Sequence, residues 1–224
     1  MQKNVYIFDF DGTLADSKHC SVVATQEAFK AHDLLIPDES LIEEFMGIPI
    51  ETSFKKMANT ELSSSMFDEL LQTFRTMYKK YENELIVAFP LIPEVLQKRK
   101  QQGSLLFVVS SKKSDVLRRN LRSLHIEEFF NGVMGSDNVN NYKPHPEGIL
   151  NILAENKFRP SQCIMIGDST FDIEMAKAAG VQSCGVTWGA HSKEMLANTK
   201  PTYLIHDVKD LLHIAPHHSA NLQA

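Results

Sequence analysis

The sequence predicts an α/β fold, a doubly wound parallel sheet with a small all-helical unit inserted after the first strand. Three observations carry this. Short apolar runs alternate with amphipathic stretches through the C-terminal two-thirds of the chain; each run ends on polar residues; and residues 16–86 interrupt the alternation with no β-like run of their own. Continuous apolar runs bounded by polar residues suit strands buried on both faces of a parallel sheet. Strand–helix alternation places crossover helices on both sides of such a sheet.

The first run, Val5 to Phe8, ends at Asp9. Leu105 to Val109 ends at Ser110, and Cys163 to Ile166 ends at Gly167-Asp168; Gly132 to Met134 and Ser183 to Thr187 are weaker runs. Helical patterns lie between them, over Ile92 to Gln102, Lys113 to Leu124, Pro146 to Asn156 and Thr170 to Ala179. Gly103 and Gly180 follow two of these, where a helix C-terminal cap wants glycine. The stretch from 16 to 86 reads as helix throughout, and Phe67, Leu70, Leu71, Phe74, Tyr78 and Tyr81 make one amphipathic stripe that packs within a helical bundle. The expected division is therefore residues 1–15 and 87–224 as the α/β core and 16–86 as a helical cap. An insertion this long far exceeds the ~4–6 residues of an ordinary connection, so it has a role of its own. The polar stretch from Pro216 to Ala224 reads as a mobile tail.

The composition narrows the function classes. The chain has 224 residues, 43% of them apolar and 23% charged, with a net charge of −5. That length buries a substantial core without disulfides or a structural metal. The missing basic excess argues against a nucleic-acid binder. No apolar run approaches the ~18 residues of a membrane span, and the N-terminal apolar stretch is too short for a signal peptide. Cys20, Cys163 and Cys184 are odd in number and far apart, so they read as small core residues of a protein in a reducing cytoplasm.

Ligands of an open α/β sheet bind beyond the carboxyl ends of its strands, so the chemistry is sought there. The first strand runs into Asp9-Phe10-Asp11-Gly12-Thr13, the second into Ser110-Ser111-Lys112, and the third into Gly167-Asp168, with Asp172 four residues on. Lys143 precedes the Pro146 helix. Asp9, Asp11, Asp168 and Asp172 repel one another unless a cation sits among them, and hard oxygen ligands select Mg²⁺. Ser110, Lys143 and exposed backbone N–H groups suit phosphate oxygens. Together they describe a magnesium-dependent phosphoryl-transfer site with one aspartate free to act as nucleophile.

Each element alone is weaker. A strand-end serine is ordinarily a helix N-cap. In an EF-hand loop the glycine would come later and a helix would precede it. Lys112 and Lys113 read as a solvated helix start, Trp188 as a packed loop aromatic, His19 as a cap surface residue and His217-His218 as part of the tail. The specificity lies in the four motifs occurring in order, each at the end of a strand or the start of a helix.

This set resembles the haloacid dehalogenase superfamily of phosphohydrolases. Its signatures, DxDGT, a strand-end Ser/Thr, a lysine in KPxP, and GDxxxD, stand here as Asp9 to Thr13, Ser110, Lys143 to Pro146, and Gly167-Asp168 to Asp172. The resemblance spans about residues 3 to 212, and within the superfamily it leans towards phosphoglycolate phosphatases and their pyrophosphatase relatives. It implies a Rossmann-like core with a helical cap. It further implies that Asp9 attacks phosphorus, forming an aspartyl-phosphate, and that Asp11 is the general acid and base. Ser110 and Lys143 would hold the phosphoryl group, with backbone amides near Gly12 and Ser111 completing the cradle. Mg²⁺ would sit on the Asp9 carboxylate, the Asp11 backbone carbonyl and Asp168, with Asp172 behind them. Gly47-Ile48-Pro49 stands either for the family's specificity loop or for a plain inter-helix turn.

The implied reaction is Mg²⁺-dependent hydrolysis of a small phosphate monoester of the phosphoglycolate kind. Alternatives are a phosphomutase of the β-phosphoglucomutase kind, a pyrophosphatase or a nucleotidase. A non-catalytic regulatory relative is a different class, and the intact set of polar residues argues against it. The expected partner is a small phosphorylated metabolite, neither nucleic acid nor membrane, and the oligomeric state stays open.

Overall fold

A computed structural model describes residues 3–217 of the chain. Its main sheet has six parallel strands: β1 (Val5–Phe8), β4 (Leu105–Val109), β5 (Gly132–Met134), β6 (Cys163–Gly167), β7 (Gln182–Val186) and β8 (Tyr203–Ile205). They lie in the order β5-β4-β1-β6-β7-β8, so β1 is central and the chain winds outward from it in both directions. Phe8 stands opposite Val108 on one neighbour and Ile166 on the other, which brings the ends of three strands level.

Side chains alternate across a strand, and here the alternation separates two cores. Tyr6, Phe8, Leu106, Val108, Ile164 and Ile166 face α5 (Ile92–Gln101) and α6 (Ser114–Ser123). Val5, Ile7, Phe107, Val109, Cys163 and Met165 face α7 (Glu147–Asn156) and α8 (Thr170–Ala178). Both faces are covered, which is why these strands read as continuous apolar runs. Gly103 and Gly180 have φ of +80° and +70° just beyond α5 and α8, the left-handed conformation in which glycine avoids a Cβ clash.

The residues between the first strand and α5 depart from an unbroken helical reading. β2 (Ala15–Asp16) pairs antiparallel with β3 (Val87–Ala88), so the chain leaves and re-enters the sheet unit along one two-stranded ribbon. Between them lie α1 (Lys18–Ala31), α2 (Glu39–Glu44), α3 (Ile50–Met57) and α4 (Ser64–Leu85). Pro37 and Pro49 fall in the breaks before α2 and α3, where a missing N–H and a fixed φ end the preceding pattern. These helices hold a separate core of Val22, Phe29, Ile42, Phe54, Met57, Leu70 and Leu71. Edge-on contacts link Phe29 to Phe54 and Phe54 to Phe74, with centroids 5.2 and 5.1 Å apart; Phe74 then lies 5.6 Å from Tyr78. The expected stripe is the inward side of α4, with Leu70, Leu71 and Tyr78 buried.

Two short elements, β8 and α9 (Lys193–Asn198), went unanticipated because three and six residues are too few to show a period. The expected tail is held at its start. His217 N–H donates to Gln182 Oε1 at 2.9 Å, and its Nε2 lies 2.8 Å from the Tyr203 hydroxyl. The remainder of that stretch, His218 included, lies outside the described residues.

Candidate active site

The floor of the site forms where β1 and β6 end. Asp9 continues β1, its N–H donating to the Ile166 carbonyl at 2.9 Å, so its position is set by the sheet. Its Oδ1 lies 2.8 Å from Lys143 Nζ, and the same Nζ lies 2.7 Å from Asp172 Oδ1. Asp172 Oδ2 accepts from the Ser169 N–H and hydroxyl, at 3.1 and 2.6 Å. Ser169 Oγ in turn accepts from the Asp172 N–H, a reciprocal capping arrangement that starts α8. The four-residue spacing of Asp168 and Asp172 therefore has a structural cause: Asp168 ends the strand and Asp172 closes the first turn.

Asp168 is gripped from two other loops. Thr13 Oγ1 donates to its Oδ1 at 3.0 Å and the Ala190 N–H to its Oδ2 at 2.7 Å. Gly12, with φ of +71°, lies so close that an added Cβ would stand 2.1 Å from Asp168 Oδ2, so only glycine fits. The Gly12 N–H donates to the Ala15 carbonyl at 2.9 Å. That donor closes the tight turn, and the missing side chain makes room for Asp168. Trp188 is a packed loop aromatic as expected; its indole N–H donates to the Thr13 carbonyl at 3.1 Å.

Asp9, Asp168 and Asp172 each offer an oxygen, and these oxygens lie within 4.8 Å of one another. Burial pushes the Asp9 carboxyl well above its usual range, against the pull of Lys143 and with the push of the neighbouring aspartates. Burial, reinforced by Asp172, raises Asp168 to about 7. Burial works against the Lys143 ammonium, but Asp172 and Asp9 outweigh it and hold the lysine more firmly protonated than in water. Lys143 pairs with two of the three buried carboxylates, and the raised pKa values of Asp9 and Asp168 show that a full set of negative charges there is disfavoured without a further cation. A hard divalent cation fits this donor set. Among the described residues both oxygens of Asp172 and both of Asp168 already have partners, whereas Asp9 has a partner on Oδ1 alone, so Asp9 is the carboxylate with an oxygen left to ligate.

Asp11 lies on the other side of the opening. Its Oδ1 accepts from Ser17 Oγ and pairs with Lys112 Nζ. Ser17 precedes α1 yet makes no side-chain cap for that helix, because its hydroxyl is turned to Asp11. Lys112 corrects the expectation of a solvated helix start. Its side chain is only 13% exposed, since the Asp11 carboxylate and two aromatic rings draw it inward. Lys113, the residue before α6, is exposed as expected.

Ser110 is buried, and its Oγ accepts from the Lys112 N–H at 3.2 Å. Ser111 Oγ donates to the Gly47 carbonyl at 2.7 Å, so the Gly47-Ile48-Pro49 turn lies directly over the strand ends. Asp9, Asp11, Ser110 and Ser111 line one cleft of about 850 Å³ with Gly47, Ile48 and α4. Arg119, which lines the cleft, and Asn120 of α6 both donate to Glu82 of α4, 3% exposed. His191 escaped the sequence reading, and the contacts of Thr13 with Asp168 and of Lys112 with Asp11 were not foreseen. His191 is buried, and its Nδ1 accepts from the Thr170 N–H at 3.1 Å; burial holds the ring below its usual pKa. Only Thr13 carried a signal, its place inside the DxDGT motif.

A family model described as haloacid dehalogenase-like hydrolase matches residues 6–186. The chain belongs to that family. Among curated relatives, this haloacid dehalogenase-like protein is 28% identical over 214 residues to the pyrophosphatase PpaX of Oceanobacillus iheyensis, covering 96% of this chain and 97% of that one. It is 30% identical over 212 residues to pyrophosphatase PpaX of Listeria monocytogenes, covering 93% and 94%. Among solved structures, that of a predicted phosphoglycolate phosphatase from Haemophilus somnus superposes with a TM-score of 0.89 at 26% identity, covering 95% of this chain and 98% of the other. No helix among the described residues is long and apolar enough to cross a membrane.

Proposed function

We propose that this protein is a Mg²⁺-dependent phosphohydrolase that cleaves a small phosphorylated metabolite through an aspartyl-phosphate on Asp9. The observation that supports it most is the floor of the cleft, where a buried carboxylate nucleophile is fixed to the sheet and paired with Lys143. Asp9 attacks phosphorus while Lys143 and Ser110 orient the phosphoryl oxygens, and Asp11 gives its proton to the departing oxygen. Asp11 then takes a proton from the water that opens the acyl-phosphate and releases phosphate. Asp9, Asp168 and the Asp11 carbonyl would hold Mg²⁺, with Asp172 behind them; the ion supplies charge neutralisation for the transferring group. The helical unit of residues 16–86 acts as a lid that keeps water out while the intermediate forms. The Gly47-Ile48 turn and α4 contact the leaving group.

The substrate is a monoester of the phosphoglycolate kind, and the names of the curated relatives support pyrophosphate as the second reading. Three free, buried cysteines favour a reducing, cytoplasmic setting. The test is phosphate release from a panel holding both compounds and common sugar and nucleoside phosphates, with Mg²⁺ and with EDTA. Activity that needs Mg²⁺ and falls at least about 10³-fold in a folded Asp9→Asn protein is the expected result. A folded Asp9→Asn protein with near wild-type turnover would sink the proposal.

A further inference from the structure

Lys112 opens the turn into α6, where lysine side chains ordinarily extend into water. Here its ammonium lies 5.3 Å from the Phe10 ring centroid and 5.0 Å from that of Tyr78, both within cation–π reach. Phe10 stands between the two catalytic aspartates in sequence, and Tyr78 belongs to α4 of the inserted unit. The lysine therefore meets both sides of the cleft at one atom. The Tyr78 hydroxyl has no partner among the described residues, so the ring face is the part of Tyr78 that engages the lysine. Lys112 and Ser17 both act on Asp11 Oδ1. Among the described residues no donor lies on Oδ2.

We propose that Lys112 is a positioning residue for Asp11: with Ser17 it anchors Oδ1 and so leaves Oδ2 as the oxygen that carries the proton. This rests on the phosphohydrolase reading above. In the first half-reaction the proton on Oδ2 passes to the leaving oxygen as the P–O bond to the leaving group breaks and the bond to Asp9 forms. The Asp11 carboxylate that results is held and charge-balanced by Lys112. In the second half-reaction water passes a proton back to Oδ2 as its oxygen bonds to phosphorus and the acyl-phosphate bond breaks. Lys112 gives up no proton in either half. The Tyr78 ring holds the lysine over Asp11, so the acid–base group is set in part from the inserted unit.

The test compares kcat/KM of wild type and Lys112→Met, with Mg²⁺, on 2-phosphoglycolate and on p-nitrophenyl phosphate. The alkoxide leaving group needs a proton and the nitrophenolate scarcely does, and kcat/KM reports the step in which it departs. A selective loss is expected, on the order of 10²-fold for the alkyl ester and under about fivefold for the aryl ester, with most of it recovered in Lys112→Arg. An equal loss on both esters, or a loss carried by KM alone, overturns the role, since either marks a general lesion or a substrate contact. Should Lys112→Met fail to fold, Ser17→Ala removes the other donor on Oδ1 and is expected to show the same selectivity at several-fold size; its absence overturns the role equally. Phosphate release surviving Asp9→Asn would bring down the phosphohydrolase reading itself. An inactive Asp9→Asn beside an unaffected Lys112→Met would bring down the role of Lys112 alone.

Discussion

Asp9 and Asp11 stand two residues apart and differ in nearly every physical respect. Asp9 is 3% exposed, is tied to β6 through its backbone and shares a buried lysine with Asp172. The Asp11 side chain is 16% exposed and is held by two side chains, one entering from the start of α1 and one from the turn before α6. The sheet side of the cleft is thus fixed by strand backbone, and the opposite side by side-chain contacts that reach between the sheet and the inserted helices. The proposed role of Asp9 as nucleophile would gain from rigid placement. In the proposed mechanism Asp11 serves two successive steps, and its side-chain tether leaves its free oxygen facing the cleft.

The comparison breaks most sharply at Lys143. Lys143→Met would leave three buried carboxylates with no cation among them, a loss of about 3–5 kcal/mol. Urea denaturation in EDTA should show a loss of that size together with abolished phosphate release. A loss below about 1 kcal/mol would mean that the floor does not depend on this pair.

A smaller effect follows from Asp168, which burial raises to about 7. Its folded pKa lies above the unfolded value near 3.9, so the native state binds the proton more tightly between those values. That contribution is present at low pH and is lost as pH rises through about 7, by at most about 1.4 kcal/mol per pH unit. In EDTA the Tm should therefore fall between about pH 5.5 and 8. A cation that replaces the proton should raise Tm more at pH 8 than at pH 5.5. Equal shifts at both pH values would remove Asp168 from the proposed metal site.

The smallest effect sharpens the comparison from the other side. Ser63 Oγ accepts from the Met66 N–H at 3.2 Å and caps α4, the helix that carries Tyr78. Ser63→Ala should cost about 1 kcal/mol, read as a Tm lower by roughly 2–4 °C, with kcat within twofold of wild type. A larger fall in kcat would show that turnover depends on the integrity of α4 well away from the cleft.

Much of the floor is legible in the sequence because its residues other than Lys143 follow an apolar run or open a helix. Asp9, Ser110 and Asp168 end strands, and Asp172 closes a capping turn, all features of local pattern. The seam was not legible. Lys112 and Asp11 are 101 residues apart, and nothing about a lysine at a helix start says whether a carboxylate and two rings will be waiting. Ser17 precedes α1, yet its hydroxyl is turned to Asp11 rather than to the helix. At Gly12 the structure adds what local pattern does not display: its N–H closes the turn, and its missing side chain admits Asp168.

The sequence by itself determined the doubly wound fold class and the inserted helices, and it singled out the aspartates, serine and lysine that the fold brings to the strand ends. Apolar periodicity and strand-end chemistry are properties of short stretches, and short stretches are what a sequence displays. Only the tertiary structure decided which oxygen of Asp11 is anchored, which lysine is buried and how the Gly47 turn covers the strand ends. Those outcomes depend on side chains from distant segments meeting in a low-dielectric space. Whether a charge there finds a partner is decided by packing, and packing has no local signature.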